Sequence, residues 1–256
     1  MGAQHGHLLH FHAHSRVHGL PAHLKIAALV GFVVIVVATP GDRYGAFAAY
    51  ALLLVGVRAT ARVPWRYLLP RMVVEVPFVV FALLLPFIAT GPRISLGPLT
   101  VSEAGLFAAW TLLAKATLGV FAALVLAATT GPQDVVTGLH RLRLPAAMVL
   151  ILSFMIRYVE VVAGEMHRMR IARISRGFSE RSIRAWPVIA RSAGALFIRS
   201  YERGERVHLA MLARGYDGIM RQPATVATTR RDTLSAMALP TAAALVLIVS
   251  TVLERY

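Results

Sequence analysis

A small residue, an arginine, a glycine and an aromatic stand in a row twice in this chain, as Ser175-Arg176-Gly177-Phe178 and as Ala213-Arg214-Gly215-Tyr216. Each row follows a long amphipathic stretch. Glycine just past a helix closes it cheaply, because it takes the left-handed conformation freely. An arginine in the last turn complements the helix dipole. Capping therefore accounts for either copy alone. Two copies, ending the two longest amphipathic stretches of one basic segment, point further. The cap holds each arginine at a fixed exit, and a guanidinium offers a rigid fork of donors to a carboxylate or carbonyl groove on a partner. Ser175, Arg176, Gly177, Ala213, Arg214 and Gly215 are the candidate docking site.

Other residues suit other chemistry. His5, His7, His10, His12 and His14, followed by His18 and His23, form an imidazole-rich tail of the kind that binds nickel, cobalt, zinc or copper. The plainer reading is a polar tail without ligand geometry, and no His-Glu-x-x-His spacing supports a catalytic metal. Glu75 and Lys115 lie inside apolar runs. An ionisable group at membrane depth calls for a partner subunit or an internal structural pair, and Arg71 stands one turn before Glu75 for the second role. His140, His167 and His208 read as helix-surface residues. There are no cysteines, which removes thiol chemistry and disulfides. No Gly-x-x-x-x-Gly-Lys-Ser/Thr loop is present, and neither Lys25 nor Lys115 follows a glycine. This chain therefore cannot cradle ATP phosphates in that way, and no cofactor is expected on it.

The elements that must position these residues are membrane helices. The chain has 256 residues, 57% of them hydrophobic and 15% charged, with a mean hydropathy of +0.64. A soluble domain of this size needs more polar surface. Five apolar runs approach the roughly 20 residues a spanning helix needs: residues 24–39, 44–57, 72–90, 103–130 and 233–253. They lack the alternation of strands. The stretch before residue 24 is histidine-rich and does not read as a signal peptide. Arg58, Arg62, Arg66 and Arg71 crowd the second connection, whereas the first and third hold only Arg43 and Arg93. The positive-inside bias then places the N-terminus, the Arg58–Arg71 loop and the segment 131–232 in the cytoplasm and the C-terminus outside.

The segment 131–232 divides into a short helix from Pro132 to Leu144, a helix from Ala146 to Arg176, and one from Pro187 to Arg214. The second helix starts apolar and turns amphipathic, with Met155, Val159, Val162, Met166 and Met169 spaced as a helix–helix seam. Ser200 and Gly204, four apart on the third, favour close approach of another helix. The expected architecture is all-α and polytopic, with about five transmembrane helices plus cytoplasmic coupling helices. It comprises a tail over 1–23, a four-span bundle over 24–130, a coupling segment over 131–232 partly embedded at its start, and a last span over 233–256.

The two arginine motifs, the stretch Ala210-Met211-Leu212-Ala213-Arg214-Gly215-Tyr216-Asp217-Gly218 and the approach Pro21-Ala22-His23-Leu24-Lys25-Ile26 together resemble the T component of energy-coupling factor (ECF) transporters, in its cobalt/nickel branch, CbiQ. The family ends two coupling helices in Ala-Arg-Gly. Ala213-Arg214-Gly215 matches in full, and Ser175-Arg176-Gly177 has Ser in place of Ala. The resemblance implies a non-catalytic subunit of the plasma membrane. Its partners would be two cassette ATPases, which bind the ATP, and a membrane substrate-binding subunit that topples to release cobalt or nickel. The same subunit class also serves vitamins such as biotin, and the arginine motifs do not separate the two.

Two other classes fit poorly. A membrane enzyme holding a phosphorylated substrate needs clustered carboxylates, but Glu160, Glu165, Glu180, Glu202, Glu205 and Asp217 are scattered. The net charge of +15 suits nucleic acid, but the aromatics that would stack bases among the arginines are few, so no nucleic-acid partner is expected. The loop charges make a direct prediction of sidedness: a reporter fused after Tyr256 is expected to read as external, and a cytoplasmic reading would overturn the five-span topology.

Overall fold

The computed structural model describes residues 15, 17–96, 99–179, 185–218 and 228–253. They fall into two compact units, one within Leu8–Leu142 and Val226–Tyr256, the other within Arg143–Thr225.

The first unit is a helix bundle. Pro21 sets an extended residue before α1 (Ala22–Ala38), its missing N–H being one that a first turn would leave unpaired anyway. Next come α2 (Tyr44–Ala61), the short α3 (Trp65–Leu68), a 3-10 stretch over Leu69–Glu75 and α4 (Val76–Ile88). Prolines at 70, 77 and 86 interrupt this third apolar run, since each removes a donor from the helical ladder. A two-stranded antiparallel hairpin follows, β1 (Arg93–Leu96) on β2 (Leu99–Ser102), with Ile94 opposite Val101. Ser102 then caps α5 (Glu103–Thr129) by accepting from the Gly105 N–H at 3.4 Å. After α6 (Pro132–Arg141), the unit closes with α9 (Arg230–Leu253).

The core is apolar and aromatic. Tyr50 and Phe32 are both wholly buried. Tyr50 meets Phe32 and Phe47 edge-on, with centroids 6.0 and 6.3 Å apart, the geometry that ring quadrupoles favour. Its hydroxyl bonds Thr39 Oγ1 at 3.0 Å, and Thr39 donates onward to Ile35 O at 2.8 Å. A hydroxyl has one proton, so Tyr50 is the donor to Thr39. Gly105 lets α5 lie against α4, since a Cβ there would sit 2.6 Å from Leu85 O. The outward faces stay apolar, with Val34, Leu52, Phe81 and Ile88 each at least 60% exposed. Such a surface suits lipid rather than water.

Both lysines of the chain close helix ends. Lys25, on the first turn of α1, donates to the terminal carbonyl of α5, Thr129 O, at 2.9 Å and to His18 O at 3.2 Å. Lys115, on α5, donates to Val37 O in the last turn of α1 at 2.7 Å. The antiparallel pair is thus clasped reciprocally, each lysine meeting carbonyls that a helix cannot satisfy itself. Glu75 is buried and accepts from Thr117 of α5. Arg71 bonds Tyr67 O at 2.7 Å and lies over the Tyr67 ring. Glu75 and Lys115 are thus each held by a neighbouring helix, Glu75 through a hydroxyl and Lys115 through a carbonyl.

Several helix ends of this bundle meet through side chains. The start of α1 meets the end of α5 through Lys25, and Arg141 of α6 reaches Thr228, just before α9, at 3.1 Å. At the other end, Arg43 in the first connection donates to Ser250 of α9 at 3.1 Å.

The second unit holds α7 (Ala146–Ser175) and α8 (Trp186–Leu212). Among the described residues, five helices are long and apolar enough to cross a membrane, but they are not the five expected runs. The helix starting at Ala146 qualifies, while α1, at 17 residues, is shorter than that length. At about 1.5 Å per residue α1 spans about 25 Å, less than a typical hydrocarbon core. The hairpin is the other departure, a period-two stretch within a connection.

The clasp predicts unequal losses. Lys25→Met is expected to strand a buried carbonyl and cost about 1–3 kcal/mol. Lys115→Met, at a more exposed contact, should cost less. Thermal unfolding in detergent checks the order, and equal or absent losses would contradict it.

Candidate functional site

Helix α7 runs 30 residues to Ser175, and its closure is built entirely from backbone. Arg176 N–H donates to Arg173 O at 3.1 Å, Gly177 N–H to Ile174 O at 2.9 Å, and Phe178 N–H back to Arg173 O at 3.1 Å. The last two bonds, a five-to-two and a six-to-one, are those of a Schellman cap. Helix α8 ends in the same way. Arg214 N–H donates to Met211 O at 3.0 Å, Gly215 N–H to Leu212 O at 2.9 Å, and Tyr216 N–H to Met211 O at 3.0 Å. The two ends correspond residue for residue. Arginine stands just before the glycine, glycine takes the left-handed place at φ +75° and +80°, and the aromatic follows it.

The side chains divide alike. Arg176 and Arg214 are exposed, while Phe178 and Tyr216 are half-buried. Ser175, where the family pattern has alanine, donates its hydroxyl to Ile171 O at 3.0 Å. Its one proton is engaged on its own helix, so the change adds no outward donor. A Cβ added at Gly177 or Gly215 would meet nothing within 4 Å. The glycines are needed for their conformation alone.

The two helices cross through one carboxylate. Glu165 of α7 accepts from Arg199 of α8 at 2.9 Å and from Arg168 at 2.9 Å, with Arg203 of α8 at 3.9 Å. Leu196, one turn before Arg199, is buried. Along the second half of α7 the half-buried residues are Tyr158, Val162, Gly164, Glu165, Met169 and Arg173. Of the expected seam only Val162 and Met169 share that face, whereas Met155, Val159 and Met166 are 50–62% exposed. Methionines and valines spaced three and four apart fit two neighbouring faces of a helix equally well, and the charges on α8 select one of them. Around Gly204 a Cβ would meet nothing within 4 Å, so among the described residues no helix crosses closely there.

His5, His7, His10, His12 and His14 lie outside the described residues. Among the described residues, no group of three or more His, Cys, Asp or Glu could hold a metal ion. His18 Nδ1 bonds Ser15 Oγ at 2.7 Å. His23 lies 3.5 Å from both Arg141 and Thr228. His140, His167 and His208 sit exposed on α6, α7 and α8.

Roles that escaped the sequence include Glu165 as the crossing residue and Lys25 as the cap of α5. The only local signal for the first was Arg168 one turn on, and for the second a lone lysine four residues after Pro21.

The caps make a separable prediction. Gly177→Ala with Gly215→Ala introduces no clash but places two Cβ atoms in the left-handed region, at about 1–2 kcal/mol each. The helix ends are expected to fray while the bundle melts unchanged. Amide exchange at Phe178 and Tyr216 should accelerate, and unchanged exchange would contradict the role of the caps.

The cobalt transport protein (CbiQ) family model matches residues 13–225. A CbiQ cobalt transport protein of Rhodobacter capsulatus is 29% identical over 82% of this chain and 84% of its own. An energy-coupling factor transporter transmembrane protein, EcfT, of Listeria innocua is 27% identical over 80% and 82%. An uncharacterised protein of Methanocaldococcus jannaschii is 29% identical over 47% of this chain, a match spanning 41% of that protein. With the family model covering most of its length, the chain belongs to the CbiQ cobalt transport protein family, a family of transporter membrane components.

Proposed function

We propose that this chain is the coupling subunit of an ECF-type importer. Two cassette ATPases dock beneath it, one on each of the ends at Arg176 and Arg214. ATP binding and hydrolysis move the ATPases, α7 and α8 carry that movement, and a membrane substrate-binding subunit releases its cargo. The chain itself is non-catalytic and binds no ATP. It sits in the plasma membrane with its N-terminus in the cytoplasm. Cobalt or nickel is the cargo that the family and the Rhodobacter capsulatus relative favour.

The observation carrying this reading is the repetition of one cap. Two helices end in the same three backbone bonds, the same left-handed glycine and the same exposed arginine. A cap needed only to close a helix does not require arginine before its glycine. Two equivalent ends suit two equivalent grooves. The resemblance to EcfT proteins over 80% of the chain supports the same assignment.

Arg176→Ala with Arg214→Ala is expected to leave the protein inserted and folded but to detach the ATPases or uncouple uptake from hydrolysis. Truncating one partner of a docked charge costs about 2–5 kcal/mol. Lysine should rescue only in part, because it lacks the planar fork. Arg184→Ala and Arg221→Ala, outside the motifs, should do little. Co-purification with the ATPases and cobalt uptake decide the matter. A double variant with both at wild-type levels reduces the motifs to helix caps.

A further inference from the structure

We propose that Glu165 is a positioning residue: it fixes how α7 crosses α8 and so sets the separation of the two arginine ends. This rests on the coupling function proposed above and adds the device that makes the two helices act as one lever.

Among the described residues, apolar burial adds little to the crossing. Within α7 only Val149 is buried, and within α8 only Leu196. Apolar contact of this kind is non-directional, so helices joined by it can change their angle at small cost. A carboxylate held by two guanidinium groups is directional, because each N–H must point at an oxygen. Glu165 has that arrangement: one oxygen takes Arg199 of α8, and the other takes Arg168 of its own helix and faces Arg203 of α8. Its side chain is only 18% exposed, against 58% for Arg199. Arg199 and Arg203 lie one turn apart, so the carboxylate faces a strip of α8 rather than a point.

The geometry converts a small angle into a large displacement. Glu165 lies 11 residues before Arg176, about 16 Å along α7, and Arg199 lies 15 residues before Arg214, about 22 Å along α8. A scissor change of about 10° at the crossing moves either tip by about 3–4 Å. That exceeds the tolerance of a hydrogen bond in a groove. Losing Glu165 should therefore leave each cap intact and able to bind, yet blur the distance between the caps.

The absence of native cysteines makes the separation measurable. Ala172→Cys and Ala210→Cys, both exposed near the tips, carry spin labels on the full chain in lipid nanodiscs. The parent is expected to give one narrow distance distribution, and Glu165→Gln a broad one. Glu165→Asp keeps the charge but shortens the side chain, and should stay nearer the parent. Packing alone predicts the reverse order, because Gln matches the shape of Glu and Asp does not.

In proteoliposomes with both ATPases and the binding subunit, Glu165→Gln should retain ATPase capture. It should move on the order of two- to tenfold less cobalt ion per ATP hydrolysed, while Glu160→Gln, on the exposed surface of α7, stays at parental levels. Four results would overturn the proposal: unchanged distances in Glu165→Gln, Asp worse than Gln, lost ATPase capture, or broadened distances with unchanged coupling. The distance measurement needs no partner, so failure of the ATPase-docking reading leaves that arm intact and is distinguishable.

Discussion

An α-helix leaves its last four carbonyls without partners, and in a chain of apolar helices that deficit governs where the polar side chains go. Inside hydrocarbon no water can meet those groups. Lys25 meets one at the end of α5 and Lys115 meets one at the end of α1. Arg58 donates to Val63 O, just past α2, at 2.8 Å. At α7 and α8 the backbone closes the helix itself through a glycine turn. That difference has a functional consequence. Where a cation does the capping, it is engaged within the bundle. Where glycine does it, the neighbouring arginine stays exposed and free to meet another molecule.

The protein thus combines a bundle held by internal polar contacts with a pair of helices held loosely. The bundle has an aromatic centre at Phe32, Phe47 and Tyr50 and a reciprocal clasp between α1 and α5. The helix pair has one buried apolar residue on each side and one carboxylate shared by arginines. Elements that must move are drawn from the loosely packed end of a structure, and the coupling lever proposed for α7 and α8 would be such an element. The exposed Met155, Val159 and Met166 on α7 add an adaptable surface, since methionine tolerates changes in what it packs against.

Much of this was legible in the sequence, and what was not has a common cause. The apolar runs set the helices because period and composition are local properties. The arginine ends were legible because a Schellman cap is encoded within six consecutive residues. The hairpin was missed because its alternation spans only eight paired residues inside a connection. Lys25 and Lys115 looked like isolated charges because the carbonyls they meet lie 104 and 78 residues away. Glu165 meets Arg199 across 34 residues, and without that contact the seam on α7 could be drawn along either of two neighbouring faces. The set of long apolar helices shifted for a related reason. Helix α1 stops at Ala38 after 17 residues, while α7 carries its apolar half on a helix of 30 residues.

The central claim is that the two capped ends meet two separate ATPase molecules. A photoreactive phenylalanine analogue at Phe178 or Tyr216 tests this most directly, because it replaces an aromatic with an aromatic and leaves the backbone cap in place. In the assembled complex, illumination is expected to attach each position to an ATPase, and a chain labelled at both to two ATPase molecules at once. Attachment only to lipid, or of both positions to a single ATPase, would contradict the account.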